Sequence, residues 1–411
     1  MCLGSFFGTN TTRRKAFQWP VGYVSRWILL ISYRALGRVR GFVRASILSA
    51  MQLVRFVLFV AAAASAAAQT PSVPPVPAQP AWRMQESGTT ASLRGIDSVD
   101  GKTAWASGSS GTVLRTIDGG AHWQTCAIPD GDKDGATLDF RGVQAWDAQT
   151  AIVMASGPGD KSRLYKTIDG CKSWTLVFTD PDKDGFWDSI SVADQKNLMI
   201  LGDPVDGEFS ILDSVDGGDT WQHGKHRGLQ NNLKEGAFAA SNSSLLVNWT
   251  DDFFAFGTGS PTGARLFQGC DTCGRDTQWT AIAIPSFPKG SAAGLFSLNY
   301  RDWRRWIAVG GDYTKPNDSA GTATWSSDGG KTWTASTTPP HGYRSTVQWG
   351  ESIKAWITAG TNGSDVSHDD GKTWQPLDNG NWNALSLPFI VGPKGRIARL
   401  NPAALPNPSV P

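Results

Sequence analysis

The sequence lacks much of what would direct it towards common functions. Only 18% of its 411 residues are charged, and it has five cysteines, five methionines, five histidines and six tyrosines. No Rossmann glycine pattern, P-loop, His-Glu-x-x-His helix or Gly-x-Ser-x-Gly elbow is present, so a nicotinamide- or flavin-dependent reaction finds no support. The stretch GTGSPTG (Gly257–Gly263) reads as a loop between strands, not as a phosphate cradle. Only His223 and His226 lie close together, and their HGKH setting reads as a surface pair rather than a metal site. Acidic residues are absent from 1–68, which carry nine arginines or lysines. The remaining chain has 29 basic against 36 acidic residues, a balance of −7. That charge supplies no bulk attraction for nucleic acid or anionic lipid, and no nucleic-acid partner is expected.

No apolar run is long enough for a comfortable membrane span. The run Phe56–Ala64 follows Arg55 and precedes Ala66-Ala67-Ala68, the pattern of a cleaved signal peptide starting at Met51. Residues 51–68 are therefore assigned as the signal, which predicts a periplasmic or secreted protein. Residues 1–50 read as a mis-called upstream extension; an extended signal or basic anchor around Trp27–Tyr33 is the competing reading. Residues 69–81 form a Pro-rich linker with no core-forming content, and 401–411 a Pro-rich tail.

The 46 glycines, 23 prolines and 19 tryptophans favour short strands joined by tight turns. An octapeptide, Ser/Thr-x-Asp-x-Gly-x-Thr-Trp, recurs as TIDGGAHW (Thr116–Trp123), TIDGCKSW (Thr167–Trp174), SVDGGDTW (Ser214–Trp221), SSDGGKTW (Ser326–Trp333) and SHDDGKTW (Ser367–Trp374). A degenerate copy ending at Trp279 fills the one double-length gap. Its Asp and Ser/Thr side chains suit a tight turn, its Gly a positive-φ position, and its Trp the start of the next strand. Four alternating strands surround each copy, as in FRGVQAWD, AIVMASG, RLYKTID and SWTLVF. Six such units run from about Ser92 to Leu377, and the remainder supplies only three strands. AWRMQES (Ala81–Ser87) resembles an octapeptide-Trp strand and is predicted to close the last unit. The expected fold is all-β: a seven-bladed β-propeller over 82–400, with about 46 residues per blade and no open sheet edge. With its edges hidden, the chain is expected to be a monomer.

The octapeptide resembles the Asp-box, or BNR repeat. Together with LRGID (Leu93–Asp97), DPVDG (Asp203–Gly207), EGAFAAS (Glu235–Ser241), GGDYTKP (Gly310–Pro316), GYRS (Gly342–Ser345) and GRIARL (Gly395–Leu400), it makes the chain similar to the photosystem II stability/assembly factor-like propellers, including relatives outside phototrophs. The resemblance covers essentially all of 82–400. It implies a binding or assembly scaffold, because photosynthetic members are assembly chaperones that bind a membrane-protein precursor. Fold alone does not fix function. Sialidases also carry Asp-boxes, so a glycoside hydrolase is the enzyme alternative; their Arg-Ile-Pro signature is absent.

Three sets of residues are candidates for chemistry. The first side chains of the innermost strands are expected to ring the channel mouth: Arg94, Arg141, Asp188, Glu235, Tyr343, Arg344 and Asn383, with Asp312 and Tyr313 on the rim. Three arginines converging there suit an acidic side chain, a chain terminus or a small anion; the competing reading is a structural ring neutralised by Asp188 and Glu235. The expected partner is an exported or membrane protein or a small anionic ligand, and no cofactor is required. Calcium is the one candidate ion, because Asp130, Asp132, Asp134 and Asp180, Asp182, Asp184 alternate before a Gly, although neither loop has the usual twelfth-position glutamate. Finally, Cys270 and Cys273 are predicted to form a short loop disulfide, and Cys126 and Cys171, near the rims of adjacent blades, are candidates for a second bridge.

Overall fold

A computed structural model describes residues 79–248, 253–270 and 276–407. The upstream extension, the signal peptide, all but the end of the linker, Cys273 and the last four residues lie outside the described residues. Among those described, the only helices are three short 3₁₀ turns, and the strands form seven sheets, antiparallel but for one short parallel pair.

Each sheet is one blade. The innermost strands are Leu93–Ser98, Phe140–Ala145, Trp187–Val192, Leu245–Asn248, Ala293–Tyr300, Thr346–Gly350 and Ala384–Ser386, in blades one to seven. Six blades have four strands; the fourth gains a fifth, His226–Arg227, which pairs in parallel with its outer strand. Blade seven is completed by Trp82–Gln85, which pairs antiparallel with Ile397–Leu400, so the start of the described chain closes the ring as expected.

The octapeptide turns repeat one hydrogen-bond pattern because each uses the same short side chains on its own backbone. In the third, the Ser214 hydroxyl donates to Asp216 at 2.9 Å and accepts from the Gly218 amide at 2.9 Å, while Asp216 also accepts from the Thr220 amide at 3.0 Å. The first, second, fifth-blade and sixth-blade copies repeat it. The second has Cys171 where the others have glycine, at φ 64°, and Cys171 is bonded to Cys126, tying blade two to blade one. Cys270 is also disulfide-bonded; its expected partner Cys273 lies outside the described residues.

The octapeptide tryptophans lie against the apolar clusters between adjacent blades. Trp123 meets the ring of Phe389 edge-on in blade seven, and Trp174 meets Trp105 in blade one. Trp82 packs in the same manner between blades six and seven, 6.1 Å from Trp382. Along the axis, polar side chains join neighbouring blades. Asp97 accepts from the Ala145 amide, Gln144 from Val192, Asn242 from Ile190, Asn299 from Trp349, Gln348 from Leu387, and Ser386 from Ser98.

Candidate functional site

Four innermost strands carry a register irregularity near their start: Leu93/Gly95, Phe140/Gly142, Trp187/Ser189 and Leu295/Ser297. A β-bulge adds one residue and re-aims its side chain. The added residues are Arg94, Arg141, Asp188 and Phe296, and all four line one cavity of about 400 Å³ at the mouth of the channel. The glycine that follows Arg94 and Arg141 is a packing requirement. A Cβ on Gly142 would sit 2.8 Å from the Asn242 amide oxygen and 2.9 Å from Ile190.

The cavity has a charged side and an aromatic side. Arg94 and Arg141 share Asp139, with Nε–carboxylate distances of 3.5 and 2.9 Å, and Arg141 also donates to the Ala239 carbonyl at 3.2 Å. Burial holds the Arg94 guanidinium below its ordinary pKa, and the charge of Arg141 adds to this. Asp188 is buried, and its carboxyl is pushed well above the usual range, first by desolvation and then by the charge of Asp203. Asp203 is itself raised by burial, while its Oδ1 accepts from the Ala237 amide at 3.0 Å. Opposite them, Phe238 stacks on Phe296 at 3.7 Å, and Tyr343 meets Phe296 edge-on at 4.8 Å. Tyr313, half-exposed, stands 6.2 Å from the same ring. Burial raises the Tyr343 phenol, which therefore stays protonated.

Of the nine residues expected at the mouth, Arg94, Arg141, Asp188, Tyr313, Tyr343 and Asn383 line this cavity, and Glu235, Asp312 and Arg344 do not. Arg344 is fully buried: its Nε donates to Asp365 at 2.7 Å and its Nη1 to Asn362 at 2.5 Å, while His341 lies 2.7 Å from the same carboxylate. In extended backbone successive side chains point to opposite faces, so Tyr343 takes the mouth and its neighbour is turned away. Glu235 is buried in an ion pair with Arg265 and accepts from the Thr258 hydroxyl at 2.6 Å. It precedes no strand start, since the innermost strand of blade four begins at Leu245. Asp312 caps its own turn through the Thr314 amide and hydroxyl. Two arginines therefore converge, not three. The neutralising carboxylate nearest them is Asp139, which the sequence reading missed, as it missed Asp203, Phe238 and Phe296.

The two Asp-rich loops do not assemble a cation site. Asp134 is held by Lys161 at 2.5 Å and Arg163 at 2.7 Å, and Asp130 accepts from the Tyr165 hydroxyl at 3.1 Å. Asp180 turns back to the Asp182 amide at 3.0 Å, and Asp184 pairs with Lys183 at 2.6 Å. Asp132 joins no cluster: among the described residues no group of three His, Cys, Asp or Glu side chains is placed to hold a metal ion. His223 is exposed and 3.6 Å from Asp182. His226 is not a surface residue: it is buried, donates to Asp213 at 3.1 Å and accepts from the Trp279 indole at 3.2 Å. These groups border a second cavity of about 290 Å³ on the flank of blade three.

No family model matches the sequence. The chain is 22% identical over 336 residues to the photosystem II assembly lipoprotein Ycf48 of Synechococcus sp. (strain CC9902), covering 77% of this chain and 87% of that protein. Among solved structures it superposes on Ycf48 from Cyanidioschyzon merolae with a TM-score of 0.54 at 17% identity, over 79% of this chain and 99% of that one. It also superposes on Ycf48 bound to a D1 peptide, with a TM-score of 0.52 at 17% identity, over 81% and 99% of the two chains. These two superpositions establish a shared fold.

Proposed function

Because the chain belongs to the photosystem II assembly factor-like propellers, we propose that it is an exported, non-catalytic binding or assembly scaffold that grips a protein partner at the channel mouth. The observation that carries this reading is the convergence of bulge-projected Arg94, Arg141, Asp188 and Phe296 on one open cavity. A guanidinium pair beside aromatic rings suits an acidic side chain or chain terminus next to an apolar one. The relative solved with a D1 peptide in place is consistent with a peptide segment as ligand. Export is supported by the leader starting at Met51 and by the Cys126–Cys171 bridge, which suits an oxidising compartment. A small anion would use the same arginines. No observation favours the glycoside hydrolase alternative.

The test is affinity capture of the full chain from the cell envelope, as wild type and as the Arg94→Ala/Arg141→Ala double variant. A discrete exported or membrane protein should co-purify with the wild type and be lost from the double variant, with the thermal midpoint nearly unchanged. A variant that keeps the partner, or unfolds before it loses it, removes the mouth from the mechanism. A screen on fluorogenic glycosides should show no turnover, and turnover would move the assignment to the hydrolase.

A further inference from the structure

The arginines do not act on an otherwise neutral surface. The wall of the same cavity holds Asp188 and Asp203 side by side, and among the described residues neither has a lysine or arginine in a salt bridge with it. Asp203 is partly exposed at the wall. Asp188 is 2% exposed; it accepts from the Ala239 amide, and its Oδ2 has no hydrogen-bond partner among the described residues. A buried carboxyl oxygen without a partner is costly, and such groups in folded proteins are nearly always satisfied.

We propose that the mouth recognises a dipolar group: a partner segment carrying a carboxylate and, one residue away, an ammonium or guanidinium. The anion sits on Arg94 and Arg141, and the cation sits on Asp203 with Asp188 behind it. The inference rests on the mouth being the binding site and specifies the chemistry of what binds there.

Charge balance favours this class over a simple anion. Two guanidinium groups face Asp139, leaving one uncompensated positive charge on that side. Beside them, on blade three, two carboxyls have no lysine or arginine in a salt bridge among the described residues. A lone anion gains from the arginines but is repelled by Asp203 and Asp188. A dipolar group gains from the arginines and from the neighbouring aspartates, and desolvated complementary charges discriminate strongly against a ligand that leaves one of them unpaired. The raised proton affinity of both carboxyls follows from the same shortage: burial opposes the ionisation of each, and the charge of Asp203 further opposes that of Asp188, with Arg141 the opposing influence on Asp188. An arriving cation supplies the missing partner. Phe296 and Tyr313 across the cavity offer an apolar face for the stem of a lysine or arginine side chain.

The probes are three fluorescein-labelled hexapeptides with blocked ends, identical except for a central Asp-Lys, Asp-Gln or Asn-Lys pair, titrated against the full chain by fluorescence anisotropy. The Asp-Lys peptide should bind about tenfold more tightly than either of the others. Asp203→Asn should erase its advantage over Asp-Gln, and Arg141→Ala its advantage over Asn-Lys. Asp188→Asn is the second variant, read in the same way if Asp203→Asn alters the near-ultraviolet circular dichroism. Equal binding of Asp-Gln and Asp-Lys overturns the dipolar inference and leaves an anion-binding mouth. Binding by none of the three also overturns it, while the co-purification experiment decides the scaffold reading independently.

Discussion

The two ends of the blades use aspartate in opposite ways. At the octapeptide end, Asp118, Asp169 and Asp216 lie at the surface and accept bonds from their own turns. Those bonds hold each carboxyl at a pKa of about 2: in Asp118 chiefly the His122 amide, in Asp169 the Ser173 hydroxyl and in Asp216 the Thr220 hydroxyl. At the mouth end, Asp188 on the innermost strand of blade three and Asp203 on the strand next to it are raised, because burial outweighs the single backbone amide each accepts from. Local sequence satisfies the first set completely. The second set is short of a partner, which is why binding is assigned to the mouth and architecture to the turns.

The largest expected effect tests the boundary between these roles. The sequence places Arg344 among the ligand-binding arginines of the mouth, yet it is sealed against Asp365 with no exposure. Arg344→Ala leaves that carboxylate buried without its cation and should destabilise the fold by about 3–5 kcal/mol in chemical denaturation. Arg141→Ala, on a part-exposed residue, should leave the denaturation midpoint almost unmoved. Equal losses from the two would erase the distinction between a mouth arginine and a core arginine.

Next in size is the bridge at the octapeptide end. Cys171 fills a position where the other boxes have glycine, and its bond to Cys126 closes a loop with a sequence separation of 45. Cys171→Gly restores the turn residue but removes the cross-link, for an expected net loss of about 2–4 kcal/mol. A neutral result would show that the turn, not the bridge, holds blades one and two together.

A smaller effect separates burial from position as the cause of the contrast. Asp97 lies at the octapeptide end of its strand but inside the channel, and burial pushes its carboxyl up to about 6 against the bonds it accepts from Ala145 and Ser98. An acid raised on folding favours the folded state most when protonated. Stability linked to Asp97 is therefore greatest below about pH 4 and falls as pH rises towards 6. For the octapeptide aspartates, lowered on folding, stability is present above about pH 4 and lost as pH falls towards 2. Asp97→Asn should stabilise the protein by about 1–3 kcal/mol at pH 7 and leave it unchanged at pH 3, read from urea midpoints across pH. A variant that is less stable at pH 7 would mean that the carboxylate, not its burial, matters at that junction.

How much of this was legible follows from the range of the interactions. The octapeptides encode their turns through contacts within five residues, so the blade count, the closing strand and the tryptophan positions could be read directly. Arg94, Arg141 and Asp188 were legible too, because each opens an innermost strand. Leu295-Phe296-Ser297-Leu298 repeats the apolar–x–small–apolar pattern of Leu93-Arg94-Gly95-Ile96 and is the signal that could have marked Phe296. Arg344 was misplaced by one position of strand alternation. Glu235 was misplaced because irregular chain precedes Leu245 in blade four. Asp139 and Asp203 owe their roles to neighbours on other strands, which no local pattern records.

The smallest expected effect concerns carboxylates that resemble a calcium loop in sequence and in space are divided among separate partners. In 130–135 and 180–185 the aspartates alternate as in a calcium loop, which would leave several oxygens free to converge on one ion. In the folded chain Asp134 is taken by Lys161 and Arg163, and its carboxyl is held well below the usual range, first by the bond from Arg163. Asp130 accepts from Tyr165, while one oxygen of Asp180 accepts from its own loop and the other is buried without a partner among the described residues, with burial pushing the carboxyl up to about 6. Recruiting Asp134 to calcium would break two ion pairs to form one coordination bond. Millimolar calcium should therefore leave the thermal midpoint unchanged and give no saturable heat on titration. Lys161→Ala/Arg163→Ala, which frees Asp134, is the variant most able to acquire a response. If the wild type already shows saturable calcium binding, these loops behave like the mouth rather than the turns, and satisfaction by neighbouring cations is no guide to which aspartates are free.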